Sequence, residues 1–257
     1  MLGSHLLSLL VTIGIVYAAL LAAYFATCLA VTLLVRRTKV TKIQDRSATH
    51  EQIRRDRRQS IVSIGAIATL FGVGQWTYAT LGWGFQVTDL TLPKIALSFL
   101  ASMLLFDTLF YWLHRLVHTR PLYRRVHLWH HQTVTPEVWS NNSELVLDIL
   151  ILQSYWLVAH FLIPIAPLVL FVHRLYDQVM GVIGHSGYEF GGKACWPPSP
   201  MISVTHHDQH HQYVRCNFGG HFTLWDRLMG TLHPHHDSKL KRNIVGIDDP
   251  VPKSKRI

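Results

Sequence analysis

Four apolar runs punctuate the chain. Residues 6–35 hold no Asp, Glu, Lys or Arg over thirty positions, longer than the roughly 20 residues a helix needs to cross a bilayer. A secretory signal peptide has an apolar core of only about 7–15 residues, so this run predicts a transmembrane helix. Residues 61–87 form a second uncharged run whose ends are blurred by Gly72, Gly74, Gly82 and Gly84. The third, residues 95–113, contains a single acid, Asp107. The fourth, residues 145–184, is interrupted at Pro164 and Pro167. Its length suits two spans of about twenty residues or a re-entrant hairpin that dips in and returns. From His185 onward the chain is polar. The expected fold class is all-α: one membrane domain of about four spans, or three plus a re-entrant hairpin.

Composition agrees. The chain is 49% hydrophobic and only 15% charged, against a usual charged share of about 25%, which argues against a disordered chain and an ordinary soluble enzyme. The net charge of +9 is unevenly placed: nine of 24 Lys and Arg fall between residues 36 and 58, opposed by Asp45, Glu51 and Asp56. A basic block directly after a span reads as a cytoplasmic anchor, so no nucleic-acid partner is expected. The same bias puts the loop around Asp89 on the opposite side and returns the third helix to the cytoplasm near His114. There Arg115, Arg120, Arg124 and Arg125 follow. Three cysteines (Cys28, Cys195 and Cys216) without a CxxC pair form no disulfide framework.

The chemistry lies in histidine, whose 18 residues outnumber the 15 acids. His114 and His118 form an HxxxH pair at the end of the third run, on one helical face. His127, His130 and His131 form an HxxHH box, expected to lay up to three ligands on one helical stripe. His207, His210 and His211 repeat that spacing, and His185 ends the last apolar segment. Such repetition beside membrane segments points to metal coordination by a cap of residues 114–144 and 185–236. His185 and the second box join the first only if residues 145–184 return to the same membrane face. Asp107, Tyr111, His114 and His118 share a helical face, and an acid within an apolar helix is a functional candidate. Its expected role is to accept an imidazole N–H and fix a ligand's tautomer, with a snorkelling or Arg-paired acid as the alternative. His206 is a further candidate ligand, as are His173 and His221. His233, His235 and His236 are expected in a solvated loop, and His5, His50 and His160 outside any site. Asn141-Asn142-Ser143 matches a glycosylation acceptor that would stay unmodified on the cytoplasmic side.

Imidazole serves zinc, copper, iron and nickel alike. A zinc site takes three or four protein ligands, so eight or nine clustered histidines suggest two ions held close together. Two irons would bind and reduce O₂ and oxidise an unactivated C–H bond. Two zinc ions would leave a similar signature, which keeps a membrane zinc hydrolase acting on a lipid, or a non-catalytic metal carrier, as alternatives.

The segments from Asp107 to His118, from His127 to His131, His185-Ser-Gly-Tyr and from His207 to His211 resemble the fatty acid hydroxylase superfamily of sterol desaturases, sterol C4-methyl oxidases and sphingolipid hydroxylases. The tail Asn217-Phe-Gly-Gly-His-Phe-Thr-Leu-Trp-Asp-Arg-Leu-Met-Gly-Thr also looks like that family's closing signature. The resemblance implies transmembrane helices under a cytosolic helical cap, and O₂-dependent hydroxylation or desaturation of a membrane lipid by a diiron centre. Carried over by position, the ligands are His114, His118, His127, His130, His131, His185, His207, His210 and His211. Some relatives carry a further histidine four residues before the position of His185, where this chain has Gly181. No His-Pro-Gly-Gly haem motif of a fused cytochrome b5 domain occurs here. Electrons are therefore expected from a separate protein, such as a cytochrome b5 or a ferredoxin with its reductase. Lys253-Ser-Lys-Arg-Ile resembles a KxKxx retrieval signal, implying the endoplasmic reticulum in a eukaryote; a bacterial protein would sit in the cytoplasmic membrane.

Overall fold

The computed structural model describes residues 2–38, 40–190 and 199–245; Cys195 and the KxKxx segment lie outside the described residues. In chain order the helices are α1 (Leu2–Arg37), α2 (His50–Leu81), α3 (Leu92–Val117), α4 (Arg120–Leu122), α5 (Leu128–His131), α6 (Val146–Leu152), α7 (Tyr155–Leu162), α8 (Pro167–Gly184), α9 (Val204–Tyr213), α10 (Leu224–Leu228) and α11 (His236–Val245). A π-helical segment, Tyr123–His127, joins α4 to α5. Two short strands, β1 (Thr41–Lys42) and β2 (Tyr188–Glu189), pair antiparallel.

α1, α2 and α3 are long and apolar enough to cross a membrane. α1 buries one stripe, Val16, Leu20, Tyr24, Cys28 and Val31, while Leu6, Leu10, Ile15, Leu29 and Leu34 stay exposed. A helix apolar all round but buried along one face needs an apolar solvent for the rest, which is what lipid supplies. α3 is arranged alike: Phe106, Tyr111 and His114 face inward, whereas Leu97, Leu100, Leu104 and Leu105 face out. Thr49 caps α2 by accepting from the Gln52 N–H, and Gly82 ends it in a left-handed conformation. α2 starts eleven residues before the second uncharged run, because its first turns carry the cationic block.

The fourth run is a broken hairpin. α6 and α7, of 7 and 8 residues, lead away from the histidines, and α8, of 18 residues, comes back to them. Asp148 at the start of α6 touches His127, and α8 ends at His185. Its tip reaches the far end of α2: a Cβ on Gly74 would lie 2.6 Å from His160 Nδ1, and one on Gly84 would lie 2.2 Å from the His160 carbonyl oxygen. His185 and the two boxes thus lie at one end of the bundle.

The basic α1–α2 connection covers that same end. β1 pairs with β2 just after His185, Gln44 Nε2 donates to Asp208 (2.9 Å), and Arg55 donates to Thr133 Oγ1 (3.0 Å). α1 and α2 also hold the loop that follows the first box. Tyr24 and Ser60 donate to the Trp139 carbonyl (2.7 and 3.0 Å). Gln59 and Ser63 donate to that of Glu144 (both 2.6 Å).

Gly84 has φ +94° besides its contact with His160. Gly84→Ala should lower the thermal unfolding midpoint of the detergent-solubilised protein, at a cost of about 1–3 kcal/mol. Gly82→Ala, with φ +68° and open space around it, should cost less, and equal midpoints would contradict the docked hairpin tip.

Candidate metal centre

Nine histidines fall into two clusters, within each of which one nitrogen per ring lies within 4.8 Å of all the others. The first holds His114, His118, His127, His131 and His210; the second holds His130, His185, His207 and His211. Helical arithmetic explains the partition. Residues four apart stack on one face, and each i,i+4 pair (114/118, 127/131 and 207/211) stays within one cluster. The histidine between, three residues along, is rotated enough to serve the other: His130 goes to the second cluster and His210 to the first. Each HxxHH box is therefore a bridge between two clusters and not a single three-ligand stripe.

The local folds position these rings. α3 ends with His118 as its C-cap, and the chain re-enters helix at α4 and passes into the π segment, whose wider turn ends on His127. Ser203 caps α9 by accepting from the His206 N–H. At its other end Val214 adopts φ +66° and its N–H bonds the His210 carbonyl. A β-branched residue in that region is strained, and the turn brings the Cys216 carbonyl back onto His210 Nδ1 at 2.7 Å.

That contact is one of five that tie an Nδ1 to an outer group. In the first cluster His114 donates to the Phe218 carbonyl (2.9 Å) and His210 to that of Cys216, while His127 Nδ1 meets Asp148 Oδ2 (2.7 Å). In the second, His130 faces the Ser143 carbonyl (3.3 Å) and His185 faces Ser140 Oγ (2.8 Å). Ser140 Oγ already donates to the Glu137 carbonyl (2.7 Å), so it accepts from His185. A carbonyl can only accept, so the proton sits on Nδ1 and the Nε2 lone pair turns inward. Inward Nε2 atoms crowd together, at 3.2 Å between His114 and His127, 3.2 Å between His118 and His131, and 2.7 Å between His185 and His207. His210 Nε2 is buried with no hydrogen-bond partner among the described residues. Metal–nitrogen bonds of about 2.0–2.1 Å, as for zinc, place ligands up to roughly 4 Å apart, so nitrogens gathered within 4.8 Å of one another need only a small inward shift for each cluster to hold one ion.

Electrostatics favour the same use. Burial, with neighbouring imidazoles adding to it, holds His127, His131, His185, His207, His210 and His211 well below the usual imidazole range. Burial lowers His130 to about 4 and, with His114 and His130, His118 to about 2. All are neutral at pH 7 and offer lone pairs to a cation.

Asp107 and His206 stand elsewhere than the sequence suggests. Asp107 Oδ1 accepts no imidazole proton; it takes the backbone N–H groups of Gly220, His221 and Phe222 (2.9, 2.7 and 3.2 Å), because that loop crosses α3 at its level. His206 joins neither cluster: the neighbouring position turns its ring away, and Nε2 lies 3.0 Å from Asp226 Oδ2. Asp226 also accepts from the Phe218 and Gly219 N–H groups (both 2.8 Å) and Thr231 Oγ1 (2.7 Å). Burial alone would raise this carboxyl, but His206 and the other donors bring it down to about 2. The closing signature is thus held by Asp107 of α3 and its own Asp226, while the Phe218 carbonyl and that of Cys216 just before it orient His114 and His210. His173 and His221 contact each other (Nε2 to Nε2, 3.2 Å), with Asp177 3.6 Å from His221. His236 is buried against Gln209 Oε1 (3.1 Å), not solvated, whereas His235 is exposed. His5, His50 and His160 join neither cluster.

Asp148 and Ser140 escape the sequence reading. An acid within an apolar helix is a signal that applies to Asp148 as much as to Asp107. Nothing local in the sequence marks Ser140, which reaches His185 across the fold. A cavity of about 90 Å³ abuts both clusters, with Phe106, Phe110, Leu152, Met180 and Ile202 forming its apolar wall.

This site belongs to a known class. The chain is a member of the fatty acid hydroxylase family, whose sequence profile matches residues 99–231. It is 32% identical to cholesterol 25-hydroxylase of Rattus norvegicus over 153 residues, 56% of this chain and 50% of that protein. A methylsterol monooxygenase of Aspergillus fumigatus is 30% identical over 59% of this chain and 52% of its own length. A delta(7)-sterol 5(6)-desaturase of Gibberella zeae is 28% identical over 63% and 53%. The chain spans about half the length of the curated relatives it matches. No solved structure matches it significantly.

Because the folded-state imidazoles titrate below about 6.5, the unfolded chain takes up protons first as pH falls. The stability these neutral rings allow is complete above about pH 7 and lost as pH drops from about 6.5 toward 4. Burial holds the Glu137, Glu144 and Asp148 carboxyls well above the usual range, which works in the opposite sense and dominates above neutrality. The imidazoles outnumber them within the window, where thermal unfolding of chelator-treated protein should show a declining midpoint. A midpoint that rose as pH fell from about 6.5 toward 4 would contradict the buried neutral cluster.

Proposed function

We propose that this protein is an O₂-dependent oxidoreductase that hydroxylates, or desaturates, an unactivated C–H bond of a membrane lipid such as a sterol, a sphingolipid or a fatty acyl chain. The observation that carries the reading is the pair of adjoining histidine clusters opening on one cavity with an apolar wall, in a family whose curated relatives are named as sterol hydroxylases, monooxygenases and desaturases. His114, His118, His127, His131 and His210 would hold one ion and His130, His185, His207 and His211 the other; two irons bound there supply the O₂ reduction and C–H oxidation. In balance, hydroxylation takes a C–H bond, O₂, two electrons and two protons to an alcohol and water.

The protein's share of the chemistry is placement. Phe106, Phe110, Leu152, Met180 and Ile202 favour an apolar segment beside His114, His127, His130, His185 and His207. A cavity of about 90 Å³ holds the reacting carbon and its neighbours, so most of a large lipid must lie outside it, toward the bilayer. The Nδ1 contacts keep the ligand tautomers fixed through turnover.

The electrons come from a separate donor, a cytochrome b5 or a ferredoxin with its reductase. Arg115, Arg120 and Arg215 line an open groove with His118 and Phe218 on its wall, a basic approach to the first cluster that suits an acidic donor. The cap is read as cytosolic, on the face of the basic α1–α2 connection, in the endoplasmic reticulum of a eukaryote or the cytoplasmic membrane of a bacterium.

Purified protein supplied with O₂, a reductant and candidate lipids should form an oxidised product, and His130→Ala or His210→Ala should abolish it while membrane insertion persists. Product formation retained in either variant would overturn the site. Lipid ester or amide cleavage without O₂ or reductant would point instead to a zinc hydrolase.

A further inference from the structure

The two clusters are unequal: the first holds five imidazoles and the second four. Three i,i+4 histidine pairs serve them, and His185 lacks such a partner because residue 181 is glycine. The helical face it would share with position 181 is not empty. A Cβ built on Gly181 would lie 2.2 Å from Asn141 Oδ1 and 2.8 Å from its Cγ, so the Asn141 side chain fills the space where a residue-181 side chain would start. Asn141 also lines the cavity together with His130, His185 and His207, three members of the second cluster.

Which end of that amide faces Gly181 follows from a donor that has no ambiguity. The Arg174 guanidinium only donates, and it meets Gln178 Oε1 at 2.8 Å. Gln178 therefore presents Nε2 to Asn142 Oδ1 (2.8 Å). Asn142 Oδ1 accepts again from Asn141 Nδ2 (3.1 Å), which leaves Asn141 Oδ1 as the free end. Among the described residues no hydrogen-bond donor is assigned to that oxygen. A relay of three side-chain amides, set by a buried arginine, holds a neutral oxygen donor beside the four-histidine cluster.

We infer that the Asn141 carboxamide oxygen is the fifth protein ligand of the second cluster, standing where Gly181 leaves room for it. The inference rests on the two-metal reading above. It makes the two sites chemically distinct, five nitrogens against four nitrogens and a weaker, harder oxygen, so the second ion is the more easily exchanged.

The test uses the full chain in detergent, stripped of metal and titrated with Fe(II) under anaerobic conditions against a chelator. Wild-type protein should take up two equivalents. Asn141→Ala should keep the first and weaken the second by about 10–100-fold, the loss typical when a supporting group of a metal site is removed. Gly181→Ala should do the same with Asn141 intact, because its methyl displaces the amide. The double variant Asn141→Ala/Gly181→His completes a fourth i,i+4 pair and should recover the second equivalent, which also shows that the lesion is not misfolding. Wild-type affinity for the second equivalent in both single variants, or failure of the double variant to recover it, would overturn the Asn141 assignment while leaving two metals in the wild type. Fewer than two equivalents in folded wild-type protein would overturn the two-metal reading and this inference with it.

Discussion

The structure depends on gathering nine neutral imidazoles, seven of them buried, with their lone pairs turned toward one another. Buried polar groups ordinarily find hydrogen-bond partners, and leaving one unpaired costs on the order of 1–3 kcal/mol. Here nitrogens crowd to 3.2 Å and 2.7 Å, and among the described residues His210 Nε2 meets no donor. Such an arrangement is unfavourable in isolation and becomes favourable once cations occupy the two foci. The helices carry that cost because their apolar surfaces are already committed to lipid and to each other.

Two loops keep the rings aimed. The segment around Cys216 and Phe218 serves the first cluster with two carbonyls and is anchored by Asp107 and Asp226 on either side. The segment around Ser140 and Ser143 serves the second and is anchored from α1 and α2 by Tyr24, Ser60 and Ser63. Each cluster thus has its own support, and residues as distant as Tyr24 bear on the histidine geometry through a single carbonyl. The hairpin of α6, α7 and α8 closes the arrangement by carrying Asp148 to His127 and His185 to the second cluster.

Much of this was legible in the sequence, since long apolar runs and histidine spacing are local signals. The three long helices and the nine clustered histidines follow from them. The division of the histidines between two clusters follows from helical periodicity too, although the reading of a box as one stripe misses that i+3 and i+4 diverge by enough to reach different clusters. Asp107 was visible as an acid in an apolar helix, but its partners are backbone N–H groups more than a hundred residues away. Asp226, Ser140 and the Arg174 amide relay were illegible for that reason: they act through contacts that only the folded chain creates. The burial of His236 also needed the fold, because it depends on Gln209 of α9.

The central claim is that these histidines form two adjoining metal sites in the folded protein. Metal content by inductively coupled plasma mass spectrometry, on detergent-purified protein shown to be helical, tests it most directly, with X-ray absorption to identify the ligand atoms. The account predicts two ions per chain in mainly nitrogen surroundings, with iron supporting C–H oxidation. Folded protein that binds no metal, or only one ion however it is reconstituted, would contradict it.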